Sequence, residues 1–216
     1  MKAIVILISG RGSNMASLIK AVADGSLPVR IAAVIANRAD AQGLTTAAAA
    51  GIATRVVDHR SFASREDFDS TLAAAIDGFA PDLVVLAGFM RILSDGFVAQ
   101  FAGRLINIHP SLLPSFPGLH THQRALDEGV RVHGCTVHFV TPALDHGPII
   151  VQAAVPVLDG DDATRLAARV LAQEHRIYPL AVRWFAEGRL QLCAGRVVLS
   201  APQDGEGALV SPCPPS

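Results

Sequence analysis

The sequence has few cysteines and no paired ones. Its 216 residues include three, Cys135, Cys193 and Cys213, and none of them belongs to a C-x-x-C spacing. An odd number of cysteines without such motifs argues against a disulfide framework and is typical of a reducing compartment. No apolar run reaches the roughly 18 residues of a membrane span, and no small-residue cleavage site follows the first apolar run. We therefore expect a soluble, cytoplasmic protein without a membrane partner.

Clusters of positive charge are also missing. Eighteen Lys and Arg residues are scattered along the chain against 19 Asp and Glu residues, for a net charge of −1. Proteins that bind nucleic acid carry a basic patch or stripe, so we expect no nucleic-acid partner. Half of the residues are apolar and 17% are charged, which allows a sizeable core and argues against disorder.

Short apolar runs rich in β-branched residues alternate with helical patterns in the first half of the chain. Such runs are typical of strands buried on both faces of a parallel sheet. The alternation predicts an α/β fold, a single-domain, Rossmann-like and mostly parallel sheet with helices on both faces. The predicted strands are 2–8, 29–36, 53–57, 83–87 and 104–108, and the predicted helices are 14–24, 41–50 and 65–79.

The second half of the chain has longer predicted strands and one long helix, which we expect to bend near Pro179. Because neither an internal repeat nor a linker is found, we expect one domain over residues 1–200. The tail, 201–216, is rich in Gly, Pro and Ser and is predicted to be mobile. The predicted strands here are 131–140, 149–157, 189–192 and 196–199, and the helix spans about 161–187.

A glycine-containing loop, ISGRGSN (residues 8–14), follows the first predicted strand. Gly10 and Gly12 permit a tight turn, and Ser13 or Asn14 can cap the helix that follows. Exposed amides at a helix N-terminus bind phosphate groups. The loop therefore predicts a phosphate site, with an ordinary strand-to-helix turn as the alternative.

This loop does not complete a dinucleotide fingerprint. The pattern G-x-G-x-x-G would place its third glycine at position 15, which is Met15. Asn37 and Arg38 end the second strand, where a dinucleotide site carries an acid for the ribose. A single phosphomonoester therefore fits the loop better than a dinucleotide does.

Asn107 and His109 stand at the end of the fifth predicted strand, directly before Pro110. Residues two apart on a strand point to the same side, and ligands of open α/β sheets collect beyond the carboxyl ends of the strands. Pro110 keeps His109 out of helical geometry, and Pro114 and Pro117 stiffen the turn that follows. We expect this turn to position a reacting group.

The pair suits acyl transfer through a tetrahedral intermediate. A histidine can act as a general acid or base near neutral pH, and an asparagine amide can donate to a developing oxyanion. No protein nucleophile is evident, because Ser111 lacks a G-x-S-x-G elbow and Cys135 lies inside a predicted strand. A substrate must then attack, and an amine is the natural candidate.

A carboxylate would complete this group by orienting the imidazole and stabilising its charged form. Asp145, in the loop TPALDHGP between two apolar strands, is the best placed. Each residue also has an ordinary structural interpretation: a hydrogen-bonded core histidine for His109, a turn-satisfying amide for Asn107 and a turn aspartate for Asp145.

The histidines give little support to a metal site. His120 and His122 form H-x-H, but two ligands do not define a site, and they open a helical-looking segment where surface or cap roles are commoner. His133 and His138 lie five apart on a predicted strand and are expected to face opposite sides. No third ligand has a fitting spacing, so we expect no metal.

Glu174 falls on the apolar stripe of the long predicted helix, with Leu166, Val170 and Ile177. An acid in that position is paired, lies at the edge of the stripe, or is functional. From the residues alone, a salt bridge to Arg169 or Arg176 is favoured over hydrogen bonds to sugar hydroxyls.

Six motifs together resemble one family over residues 2–200. They are ISGRGSN, LAGFMRIL (86–93), NIHPSLLPSFPG, GCTVHFV (134–140), LDHGPII (144–150) and AQEHRIYP (172–179). In these motifs the chain resembles the phosphoribosylglycinamide formyltransferases, the folate-dependent glycinamide ribonucleotide transformylases of purine synthesis. NIHPSLLP alone would indicate the wider group that uses formyltetrahydrofolate. LAGFMRIL and the chain length narrow the resemblance to the phosphoribosylglycinamide formyltransferases.

The resemblance implies transfer of the formyl group of 10-formyltetrahydrofolate, the co-substrate, to the amine of glycinamide ribonucleotide, in a monomer or homodimer without a metal. It implies a catalytic group of Asn107, His109 and Asp145. The nucleotide positions that it implies are Gly12, Ser13, Asn14, Leu171, Ala172, Gln173 and Glu174. The folate positions that it implies are Arg65, Met90, Arg91, Ile92, Leu93, Asn107, Thr141, Pro142, Ala143, Leu144 and Asp145.

Three positions depart from the pattern of this family. Arg11 replaces a small or amide residue, Leu171 replaces a polar one, and His146 adds a titrating group beside Asp145. The resemblance then implies altered affinity and pH dependence but the same reaction.

Three other functions share part of this pattern. A formyltetrahydrofolate hydrolase usually has an additional N-terminal regulatory domain, whereas this chain starts on its first strand. A methionyl-tRNA formyltransferase usually has a C-terminal domain and a basic face, and neither is visible. A non-catalytic nucleotide- or folate-binding module would have no need of Asn107, His109 and Asp145.

Overall fold

The computed structural model describes residues 1–201 and residue 211. The chain divides into two compact units, and the boundaries fall within two strands and in the loop that follows the second of them. Unit 1 comprises Met1–Asn107 and Phe139–Leu144, and unit 2 comprises Ile108–His138 and the chain from Asp145 onward. The expectation of one domain over residues 1–200 stays a prediction, and the predicted mobile tail lies outside the described residues except for Ala201 and Ser211.

Unit 1 alternates strands and helices, as the sequence predicts. Its elements are β1 (Lys2–Ile8), α1 (Ser13–Ala23), β2 (Val29–Ala36), α2 (Gly43–Ala49), β3 (Thr54–Val56), a 3₁₀ turn (His59–Ser61), α3 (Arg65–Asp77), β4 (Leu83–Leu86), α4 (Asp95–Gln100) and β5 (Leu105–His109), whose last two residues belong to unit 2.

These strands pair in parallel. β1 lies between β2 and β4, with Ile6 opposite Val34 on one side and Val85 on the other. β3 pairs with β2, and β5 pairs with β4. β1 and β4 are almost wholly buried apolar runs, because a parallel sheet covered by helices has no face turned to water. A core that includes Leu7, Phe68 and Phe101 packs against it.

Unit 2 contains α5 (Thr121–Asp127), β6 (Val132–Phe139), whose last residue belongs to unit 1, β7 (Ile149–Pro156), α6 (Ala163–Ala186), β8 (Leu190–Cys193) and β9 (Arg196–Leu199). β6 and β7 pair antiparallel, and so do β8 and β9. β6 and β7 approach closely at Gly134, where a Cβ atom would lie 2.0 Å from the carbonyl oxygen of Ala153. Only glycine fits that point of the sheet.

The predicted α/β fold is confirmed. Within the described residues of unit 1 the strands have the order β3-β2-β1-β4-β5 and pair in parallel, and in unit 2 β7 pairs antiparallel with β6. Predicted and observed elements differ by one or two residues at most ends. α4 was not predicted: it has only six residues and begins at the cap Ser94, whose hydroxyl accepts from the amide of Phe97. Pro179 lies inside α6, which continues to Ala186.

Candidate functional site

The glycine loop of unit 1 borders a cavity of about 420 Å³. Gly12 adopts a left-handed conformation, with φ of 69°, and is the N-cap of α1. The expectation that Ser13 or Asn14 caps this helix is wrong, since α1 begins at Ser13 and its cap residue has no side chain. The N-cap residue therefore supplies no side-chain acceptor to the first turn of α1. A bound anion can act as the acceptor there.

Positive charge surrounds this cavity. Arg11, Arg38 and Arg91 line it together with Gly12, Ser13 and Asn14. Arg38 forms an exposed ion pair with Asp40. The hydrogen bond from the Arg38 guanidinium holds the pKa of the Asp40 carboxyl below its usual range. The cavity thus combines a helix N-terminus and guanidinium groups, and both favour an anionic ligand.

Gly43, the first residue of α2, packs against the glycine loop. Its amide donates to the carbonyl of Gly10 at 3.0 Å. A Cβ atom at this position would lie 2.6 Å from Cδ1 of Ile8 and 3.2 Å from the carbonyl of Arg11. Nothing in the sequence identifies this residue, because a glycine at a helix start carries no sign of which loop it touches.

His109 and Asp145 come together in unit 2. Nδ1 of the imidazole lies 3.5 Å from Oδ2 of the carboxylate, and the two side chains are 7% and 8% exposed. The same oxygen accepts a hydrogen bond from the amide of Gly118 at 2.8 Å. The expected pairing of this histidine with this aspartate is therefore present in the structure.

The other ring nitrogen of His109 has a main-chain partner. Nε2 lies 3.0 Å from the carbonyl oxygen of Phe116. A carbonyl can only accept, so Nε2 carries a hydrogen. With a carboxylate facing Nδ1, a doubly protonated ring satisfies both neighbours, while a ring protonated at Nε2 alone turns a lone pair toward the carboxylate.

The backbone around this pair is strained. Asp145 and Phe116 have φ of 52° and 54°, a left-handed region in which residues other than glycine are uncommon. Such strain persists where the surrounding structure fixes it, and it clusters at functional sites. The ring of Phe116 is held between His133, with the ring centroids 5.8 Å apart, and the guanidinium of Arg124.

Two other histidines lie near this turn. The rings of His122 and His133 meet edge to face with centroids 5.3 Å apart. Burial lowers the pKa of His133 to about 4 and also lowers that of His122. Burial thus favours the neutral form of both rings.

Neither Cys135 nor Ser111, two residues of unit 2 with a nucleophilic side chain, is placed to attack a substrate. Burial raises the pKa of the Cys135 thiol to about 12, with the charge of Glu174 acting in the same direction. The hydroxyl of Ser111 is buried and donates to the carbonyl of Ser115 at 2.6 Å. The Cys135 thiol is protonated and the Ser111 hydroxyl is held in a hydrogen bond, so neither is activated as a nucleophile. Direct attack by a substrate is then the simplest chemistry.

Glu174 is buried on α6, in line with Leu166, Val170 and Ile177 as the sequence predicts. The two arginines considered as its partners contact other groups: Arg169 pairs with Asp161 at 2.7 Å, and Arg176 donates to Gln173 at 2.8 Å. Leu171, Ala172 and Gln173 precede it on the same helix.

The remaining predicted positions lie in unit 1. Arg65 is the first residue of α3, Asn107 is in β5, and the segment 90–93 precedes α4. Met90 and Arg91 line the cavity beside the glycine loop. Thr141 donates to the carbonyl of Ala143 at 3.3 Å in the loop that also contains Pro142 and Leu144. Whether these positions contact folate stays a prediction.

Among the described residues, no group of three or more His, Cys, Asp and Glu side chains is arranged to hold a metal ion. Over the same part of the chain, no helix is both long and apolar enough to cross a membrane.

The fold agrees with comparisons to known proteins. Residues 2–182 match the family model described as formyl transferase. The chain belongs to the formyl transferase family.

Within this family, the chain is similar to the phosphoribosylglycinamide formyltransferase of Escherichia coli, with 56% identity over 88% of this chain and 89% of the relative. The crystal structure of glycinamide ribonucleotide transformylase 1 from Symbiobacterium toebii matches with a TM-score of 0.90 and 50% identity, over 92% of this chain and 94% of the other. Formyltetrahydrofolate deformylase from Burkholderia mallei matches with a TM-score of 0.84 and 30% identity, over 92% of this chain and 70% of the other.

Proposed function

We propose that the protein transfers the formyl group of 10-formyltetrahydrofolate to the amine of glycinamide ribonucleotide, yielding formylglycinamide ribonucleotide and tetrahydrofolate in the synthesis of purines. Membership of the formyl transferase family and the high identity to a relative of that name support the reaction. The observation that carries the chemistry is the buried contact between His109 and Asp145, with the carbonyl of Phe116 at the second ring nitrogen.

In the proposed reaction, the substrate amine attacks the formyl carbon directly. A carbon–nitrogen bond forms while the formyl oxygen gains negative charge. Asn107 and protonated His109 donate hydrogen bonds to this oxyanion, which stabilises the tetrahedral intermediate. Because Nδ1 faces Asp145, His109 donates through Nε2, which exchanges the Phe116 carbonyl for the substrate oxygen. The bond from carbon to the folate nitrogen then breaks, and the proton of the attacking nitrogen reaches the leaving nitrogen through a water or through His109.

Asp145 supports this step electrostatically. Its carboxylate favours the charged imidazole, because opposite charges attract strongly when both are removed from water. The amide of Gly118 holds the carboxylate in place. General acid–base assistance of this kind contributes about 10²- to 10⁴-fold in rate.

The two substrates are assigned to separate groups of residues. Gly12, Ser13 and Asn14 bind the phosphate of the nucleotide, as the helix N-terminus and the surrounding arginines favour. Leu171, Ala172, Gln173 and Glu174 bind its ribose and phosphate. The folate residues are Arg65, Met90–Leu93, Asn107 and Thr141–Asp145.

The second candidate is hydrolysis of formyltetrahydrofolate, favoured by the likeness to a formyltetrahydrofolate deformylase. Purified protein is mixed with 10-formyltetrahydrofolate, with and without glycinamide ribonucleotide, and loss of the formyl folate is followed. Turnover that depends on the amine supports transfer. Turnover without the amine identifies a hydrolase, and an absence of turnover identifies a binding module.

We also propose a cytoplasmic enzyme that acts as a monomer or homodimer and has neither nucleic-acid nor membrane partners. Ultracentrifugation of the purified protein across a range of concentrations measures the oligomeric state.

A further inference from the structure

The segment Met90–Leu93 exposes apolar surface beside the cavity of unit 1. Met90 is 68% and Ile92 is 63% exposed, and Met90 and Arg91 line the cavity. Neighbouring exposed apolar side chains at the edge of a cavity are characteristic of a surface that binds a ligand. The segment lies outside helices and strands, so other groups must fix its conformation.

Ser9 holds the N-terminal end of this segment. Its hydroxyl accepts a hydrogen bond from the amide of Met90 at 2.7 Å. Its own amide donates to the carbonyl of Gly88 at 3.1 Å, where the chain turns with a φ of 75°. Ser9 directly follows β1, which is buried from Ala3 to Ile8, so the anchor is rigid.

Asp69 holds the C-terminal end. It lies on α3, is 2% exposed and accepts a hydrogen bond at Oδ2 from the amide of Ser94. Within the described residues its other oxygen, Oδ1, is buried without a hydrogen-bond partner. Burial of a carboxylate with an unused oxygen costs stability, so this residue does not serve packing alone.

We propose that Ser9 and Asp69 are positioning residues, which fix the two ends of Met90–Leu93 and so determine the affinity for the folate co-substrate. The inference rests on the proposed function, in which this segment contacts folate. Neither residue has to touch the reacting atoms. Each acts through one main-chain amide, and the two anchors together leave the short segment between them little freedom to move.

The test is the kinetics of Asp69→Ala, Asp69→Asn and Ser9→Ala. Loss of one hydrogen bond at either anchor raises the KM for 10-formyltetrahydrofolate by about three- to tenfold. For the Asp69 variants, kcat and the KM for glycinamide ribonucleotide stay unchanged. Asp69→Asn keeps an acceptor oxygen and is expected to lie between Asp69→Ala and the wild type.

Asp77→Ala is the matched control. Asp77 lies on the same helix and is exposed. Its hydrogen bond in the described part of the chain is to Gln100 of α4 and not to the segment 90–93. Its variant keeps the wild-type KM for folate. A rise in both KM values together, or an equal rise in the Asp77 control, indicates a general structural role and overturns the inference. If the Asp69 variants do not fold, Ser9→Ala decides through the KM for folate alone, because Ser9 also lines the cavity assigned to the nucleotide. An unchanged KM for folate in this variant overturns the inference.

The two proposals fail in different ways. Amine-dependent turnover of the wild type, with an unchanged KM for folate in the folded variants, overturns the positioning role and leaves the function intact. If the wild type has no such turnover, the function fails, and calorimetric titration with 10-formyltetrahydrofolate decides the inference. Equal folate affinity of the wild type and the variants, or no folate binding by the wild type, overturns it. Weaker binding by the variants supports it.

Discussion

Nδ1 of His109 lies 3.5 Å from Oδ2 of Asp145, and both side chains are almost fully buried. The imidazole has an acceptor at each nitrogen, since the Phe116 carbonyl faces Nε2. This arrangement suits a ring that carries positive charge while it donates hydrogen bonds.

Replacement of Asp145 by Asn is expected to leave the fold intact and to remove most of kcat. Asparagine tolerates the left-handed conformation that Asp145 adopts, and its oxygen can still accept from Gly118. The negative charge that favours the imidazolium is lost, so kcat falls by about 10²-fold or more.

Steady-state kinetics and circular dichroism measure these two properties. The matched control is Asp127→Asn, an exposed acid of the same unit that accepts from Gln123. Near-wild-type turnover of Asp145→Asn would show that the assigned role is wrong.

Gly12→Val is expected to raise the KM for the nucleotide strongly. Gly12 has φ of 69°, and a Cβ atom there would lie 3.2 Å from Cε of Met15. The left-handed conformation costs an L-residue about 1–2 kcal/mol, so the loop shifts and its amides move away from the phosphate. Gly96→Val is the control, because Gly96 lies on α4, outside the glycine loop, and a Cβ atom there meets nothing within 4 Å. An unchanged KM for Gly12→Val removes the phosphate assignment.

Glu174→Gln tests the ribose assignment. A carboxylate that accepts from sugar hydroxyls binds them more strongly than an amide does, so the KM for the nucleotide rises by about tenfold or more. The comparison is repeated with an analogue of the substrate that lacks the ribose hydroxyls. If the substitution weakens binding of the nucleotide and of the analogue equally, Glu174 has only a structural role.

The pH dependence of stability is expected to carry a contribution from His133. Its folded-state pKa is about 4, below the ordinary value of about 6.5, so the unfolded chain binds more protons between these two values. The contribution of His133 to the free energy of unfolding is therefore fully present above pH 6.5 and is lost as the pH drops toward 4. In His133→Leu, Tm measured over this range varies less with pH than in the wild type, whereas exposed His146→Gln follows the wild-type curve. Equal slopes for all three proteins contradict this assignment.

The sequence predicted most strands of the sheet, because buried parallel strands are apolar on both faces and stand out as continuous runs. It also predicted the pairing of His109 with Asp145. α4 was missed since six residues give too short a periodic pattern to detect. Gly43 and the Phe116 carbonyl were missed for another reason: contacts made by the main chain carry no residue-type signature.

The cap of α1 shows the opposite error. Ser13 and Asn14 are good capping residues by type, yet Gly12 takes the position because its φ of 69° is required to turn the chain from β1 into the helix. The conformational need of the turn outweighs the capping preference of the side chains. Residue type alone could not decide between the two.

The main-chain contact to His109 has a consequence for how the protein tolerates mutation. The carbonyl of residue 116 is present whatever side chain that position carries, so no substitution there deletes the acceptor. A substitution weakens the contact only if it prevents the backbone from keeping its positive φ. Random mutagenesis at this position should then sort variants by conformational preference, with glycine and asparagine retained and β-branched residues eliminated.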